Sequence, residues 1–193
     1  WFGWRAIFIV LGVLFIVIAA LLGRELRRNE PLRLDGDRSV TIANALRRMA
    51  GLLLRPWARV ILVVVAIECA LSMGVLAYVA WDLQHRHGVS LALSGLWIVA
   101  YPAGGLLYAT FSAPLVARLG EQGLALAGGL LIGAGYLCLL LAPAALVVLP
   151  GLLAVGIGFA MLHNTLQVNA TQMAPEARGA AVSLFAFCLF TSQ

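Results

Sequence analysis

Polar residues are so sparse along this chain that the apolar stretches between them mark out its elements. Six apolar segments cover roughly 4–22, 57–81, 91–116, 123–142, 145–167 and 179–193. The first five are long enough to cross a hydrocarbon core of about 30 Å, which takes about 20 helical residues. The sixth runs only as far as residue 193. In lipid every backbone amide must be satisfied within the protein, so these segments are helices rather than lone strands. An outer-membrane barrel would show shorter segments of alternating polarity, and nothing here alternates that way. The pattern predicts an all-α membrane protein, a polytopic bundle of transmembrane helices embedded in a lipid bilayer.

The connections between the segments set an orientation. Residues 23–56 carry Arg24, Arg27, Arg28, Arg33, Arg38, Arg47, Arg48 and Arg55, and such a loop belongs in the cytoplasm by the positive-inside rule. The remaining loops then alternate: 82–90 outside, 117–122 inside, 142–145 outside and 168–178 inside. Arg118 and Arg178 fall inside, and Arg86 is the exception. Trp57 and Trp81 bracket the second span where aromatic belts sit. Within the long loop, Ile42, Leu46, Met49 and Leu53 share one face of a helix over 40–55, which suits an amphipathic helix on the inner leaflet. Asn29, Pro31 and Gly36 make 29–38 read as a linker. The length of this loop marks a boundary between two bundles.

Composition agrees. Of 193 residues 63% are hydrophobic and 11% charged, against about 25% charged in a soluble domain. The formal charge of +5 comes from arginines clustered between two apolar spans, so it reads as a topology signal and not as a nucleic-acid surface. Cys69, Cys138 and Cys188 lie in apolar runs without metal-ligand spacing and read as packing residues. No metal site, cofactor site or hydrolase motif is expected.

Polarity is shared unevenly among the spans. The first has no polar side chain over 6–22, and the fourth only Tyr136 and Cys138. The second, third and fifth carry nearly all the rest, as helices lining an aqueous path do. Glu68 stands near the middle of the second span. A carboxylate there is costly when ionised and unpaired, and a proton removes that cost, so Glu68 is the proton-coupling candidate. Ser72 lies one turn further on the same face. The third span carries a stripe of Ser94, Trp97, Tyr101, Gly105, Tyr108 and Ser112 within an arc of roughly 80°. Trp97, Tyr101 and Tyr108, with Ser72, are candidates for a substrate path, and helix packing is an equal reading of the stripe. Pro102 predicts a kink. Gly129 and Gly133, spaced as GxxxG, and Gly151, Gly156 and Gly158 are expected to let helices approach closely.

The fifth span ends in His163, Asn164, Thr165, Gln167, Asn169, Thr171 and Gln172. His163, Asn164 and Gln167, with Arg118, Glu176 and Arg178, are candidates for a gate at the inner surface. Pro175 and Glu176 suit the start of the next helix. With the fifth span ending at 167, Glu68 and His163 fall in opposite halves of the membrane. Catalysis needs its groups at one depth, so no enzyme is expected. The polar central spans point to a secondary transporter of small molecules, with a passive channel or a non-transporting scaffold as alternatives. Trp at position 1 and an apolar run reaching Gln193 suggest an internal piece of a longer chain.

Several stretches carry a family likeness. Phe2-Gly3-Trp4-Arg5-Ala6-Ile7-Phe8 resembles the start of the sixth helix in bacterial drug- and sugar-efflux permeases of the major facilitator superfamily, and the basic loop resembles that family's central linker. Ala113-Pro114-Leu115-Val116-Ala117-Arg118-Leu119-Gly120-Glu121 resembles an inter-helix signature of the form G-x-x-x-D-R-x-G-R. Arg118 and Gly120 match it, while Ala113, Ala117 and Glu121 depart from it. The stretches His163 to Gln167 and Met173 to Gly179 resemble the efflux branch. The resemblance implies helices six to eleven of a twelve-helix fold. Residues 1–22 would be the last helix of an N-terminal half-bundle, 23–56 the linker, and 57–193 an incomplete C-terminal half-bundle. It further implies alternating access against the other half-bundle, proton antiport, efflux of a small molecule, and residence in the inner membrane of a bacterium.

Overall fold

The structure is a computed structural model that describes residues 5–28 and 42–193. The stretch Phe2 to Trp4 and the linker reading at 29–38 lie outside the described residues. The chain divides into two units, one formed by residues 1–42 and the other by residues 43–193. In the first, α1 (Arg5–Arg28) is an uninterrupted apolar helix that closes on Arg27 and Arg28, cations placed where the helix dipole is negative.

The second unit holds α2 (Ile42–Leu53), α3 (Pro56–His85), α4 (Leu91–Ile98), α5 (Ala100–Leu140), α6 (Ala145–Gln172) and α7 (Arg178–Thr191), with a single 3₁₀ turn at Pro175–Ala177 before α7. Pro56 opens α3, where its missing N–H costs nothing. The Ser90 hydroxyl caps α4 by accepting from the Leu93 amide at 3.3 Å. Among the described residues four stretches are long and apolar enough to cross a membrane: Phe8–Glu25, Pro56–His85, Leu91–Leu140 and Ala145–Gln172.

The 50-residue stretch Leu91–Leu140 contains the third expected span and all but the last two residues of the fourth. They are joined without a loop. At Gly120 the backbone takes φ 64° and ψ 179°, a left-handed conformation open to glycine and costly for other residues. The chain reverses there. Along the arm 100–119, Tyr101, Gly104 and Tyr108 meet Gly156, Ile157 and Met161 of α6 in ascending order. Along the arm 121–140, Gly128 and Gly135 meet Gly158 and Gly151 in descending order. Helix α6 therefore lies against both arms. The kink expected at Pro102 is a break at Val99, between α4 and α5, and Pro102 occupies the first turn of α5.

Glycines set this packing, though not all of those expected. Gly151, Gly156 and Gly158 are buried against α5. The GxxxG pair Gly129 and Gly133 has nothing within 4 Å of where a Cβ would stand. The close approaches on that arm belong to Gly128 and Gly135, seven residues apart and so two turns along one stripe.

Helix α2 also differs in part from its expected face. Leu52 is buried among Ala58, Leu62, Ala170 and Met173, with Met49 packed beside it. Leu46 and Leu53 stay exposed, on a flank that also shows Arg47 and Arg48.

Candidate functional site

The site forms where α3 crosses α6. Glu68 lies twelve residues from the start of α3, and His163 nine residues from the end of α6, which runs the opposite way. At 1.5 Å per residue these are depths of about 18 and 14 Å from one end of the bundle. The two side chains meet there, with His163 Nδ1 3.0 Å from Glu68 Oε2. This corrects the expectation that they occupy opposite halves of the membrane. The fifth span had been ended at 167, but α6 continues to Gln172, which carries His163 inward.

Both partners are well enclosed. Glu68 is 7% exposed, and its second oxygen, Oε1, is buried with no hydrogen-bond partner among the described residues. The His163 ring stacks on Phe159, with centroids 5.1 Å apart and planes 10° apart, and Phe185 packs on it at 5.8 Å. Phe159 in turn touches Tyr101 at 5.8 Å, so four rings run from α5 through α6 to α7. Clamped rings and a buried carboxylate fix the geometry of the pair before any ligand arrives. Beside Glu68 is a cavity of about 240 Å³, walled by Val64, Ile67, Leu71, Ile132 and Leu162, with Ser72 and Tyr136 as its other polar lining. Tyr136 is a site residue that the sequence reading passed over; it was one of only two polar side chains in its span.

The structure places the remaining candidates as follows. Ser72 is buried one turn beyond Glu68 and lines the cavity. Trp97 and Tyr101 pack on a cluster of Val79, Leu83, Val148 and Leu152. Tyr108 is buried with Leu124 and Met161. None of these three aromatic residues borders the cavity beside Glu68. Asn164 and Gln167 are exposed. Arg118 and Arg178 are exposed, the former beside an apolar groove with Phe111 and Leu115.

Glu176 belongs to a second contact, at the end of the bundle where α3 begins. Arg55 donates to the Glu176 carboxylate and, at 3.1 Å, to the Met173 carbonyl, so it ties the start of α3 to the α6–α7 connection. Nearby, Asn169 donates to Glu121 at 3.1 Å, which ties the turn of α5 to α6. Glu176's own backbone N–H and the Arg55 guanidinium hold its carboxyl below its ordinary value of 4.5. A depressed carboxyl stabilises the fold above its ordinary value, and that contribution fades as pH falls through the lowered one. Glu176→Gln is therefore expected to lower the melting midpoint slightly at ~pH 7, with the two proteins converging near ~pH 3. Because the pair is exposed, added salt should shrink the difference. A difference that persists unchanged in acid would rule out the ion pair as its source.

The sequence profile of the Major Facilitator Superfamily matches residues 1–192. The chain belongs to that family. A comparison with curated proteins gave no match, and neither did one with solved structures. Membership in the major facilitator superfamily makes the chain part of a multi-pass membrane transporter family acting on small molecules. It fits the all-helical bundle seen here. The Glu68–His163 contact joins two helices that are each long and apolar enough to cross a membrane.

Proposed function

We propose that this chain serves a secondary active transporter that exports small molecules in exchange for protons, and that Glu68 and His163 are its coupling pair. In this reading α1 closes the N-terminal half-bundle, residues 23–56 link the halves, and residues 57–193 belong to the C-terminal half. The protein sits in the inner membrane of a bacterium, with Arg55, Gly120 and Glu176 at the cytoplasmic end.

The observation that carries the reading is the 3.0 Å contact between a buried carboxylate and an imidazole in mid-bundle. Two groups that share one proton change their joint charge when water reaches them and when it leaves. Alternating access supplies those two conditions in turn. The cavity beside Glu68 gives a substrate a place next to the proton site, with apolar walls and hydroxyls from Ser72 and Tyr136.

Counterflow in vesicles holding the transporter with both half-bundles tests the class. Unlabelled substrate loaded inside should drive transient uptake of labelled substrate, and a pH gradient should drive net movement. Flux without counterflow would establish a passive channel instead, and absence of any flux in substrate-responsive cells a scaffold.

A further inference from the structure

We propose that Glu68, Cys69 and His163 form a binding site for a divalent transition-metal cation of the zinc class, held between α3 and α6. The sequence hid this site because its donors come from two helices 94 residues apart in the chain (Cys69 to His163), and no local spacing signals it. One carboxylate oxygen, one imidazole nitrogen and the thiol sulfur all lie within 4.8 Å of one another. Zinc bonds of about 2.0–2.3 Å in tetrahedral array hold donors about 3.5 Å apart, so the cluster needs to close by roughly an ångström. The His163–Glu68 pair, at 3.0 Å, is already inside that span.

Further features favour an ion. A carboxylate, an imidazole and a thiolate make a borderline-soft set, suited to Zn²⁺ or Cd²⁺ rather than to Mg²⁺ or Ca²⁺. Glu68 Oε1 is buried without a hydrogen bond among the described residues, so the carboxylate has lone pairs uncommitted on its second oxygen. The rings of Phe159 and Phe185 fix the plane of His163, as supporting groups around a metal ligand do. Of the three donors, Glu68 also borders the cavity of about 240 Å³. Cys69 has no part in the proton reading, and metal binding needs no transport, so either proposal can fail without the other.

The test uses the transporter with both half-bundles in lipid nanodiscs, with Cys138→Ser, Cys188→Ser and serine at any cysteine of the other half, so that Cys69 is its single thiol. Cd²⁺ is titrated while the ultraviolet thiolate-to-metal band is followed. One equivalent should saturate the band, and adding Cys69→Ser should abolish it. Glu68→Gln and His163→Gln, each checked for unchanged helicity by circular dichroism, should weaken binding by at least about tenfold. Absence of the band in the single-thiol protein of normal helicity overturns the site. So does a band whose midpoint neither Glu68→Gln nor His163→Gln moves, because Cd²⁺ would then be sitting on an isolated thiol.

Discussion

Glu68→Gln is expected to abolish pH-driven accumulation of substrate while leaving exchange between compartments of equal pH largely intact. Glutamine keeps the size of the side chain and can still hydrogen-bond His163, but it exchanges no proton. A bare charge at mid-membrane costs about 3 kcal/mol, more than enough to make protonation follow access to water. In the native protein the pair can pass between a shared-proton state and one in which water has taken or supplied a proton. In the Glu68→Gln variant the cycle loses that difference, and substrate movement loses its link to the pH gradient. Glu68→Asp retains the acid but shortens its reach to a nitrogen now 3.0 Å away, so coupling should survive in part. Vesicles with an imposed pH gradient, compared with equal-pH exchange in the same preparation, give both readings. Undiminished gradient-driven transport by Glu68→Gln at normal expression would remove Glu68 from the coupling role.

The second large effect is structural. A Cβ on Gly156 would stand 1.9 Å from the Tyr101 carbonyl oxygen, and one on Gly104 2.4 Å from that of Leu153. These obstacles are backbone, which no rotamer change relieves. Overpacking costs typically about 1–3 kcal/mol where side chains can shift, so Gly156→Leu should exceed that range. It should also separate α6 from the first arm of α5. Gly129→Ala and Gly133→Ala, with open space at both positions, should leave folded yield unchanged. Monodisperse yield in mild detergent and melting midpoint decide the matter. Tolerance of leucine at 156 together with intolerance of alanine at 129 would mean that the helices are packed on different faces.

Part of this architecture is legible in the sequence and part is not. Span positions followed from segment length and hydropathy, because lipid forces backbone self-satisfaction and leaves helices as the solution. Gly120 was visible within a short polar break, although not as a one-residue reversal. Glu68 stood out because a carboxylate in an apolar run is conspicuous wherever its partner lies. That partner was misplaced because polar residues after His163 looked like the end of a span, whereas α6 runs on to Gln172. Periodicity finds the face of one helix but not the register between two. For this reason periodicity pointed to the GxxxG pair rather than to Gly128 and Gly135. The stripe of Trp97, Tyr101 and Tyr108 was legible as a stripe, and only the neighbouring helices reveal that it lies against apolar clusters.

The single-residue reversal at Gly120 has a mechanical consequence. Two arms joined with no slack cannot slide past each other, and α6, keyed into both through backbone-close glycines, cannot slide past either. Those three rods make one stiff plate. Helix α3 meets the plate through side chains, which tolerate shear far better than keyed backbones do. The Glu68–His163 contact lies on this seam, so a small slip of α3 along α6 would make or break it while leaving the glycine-keyed plate intact.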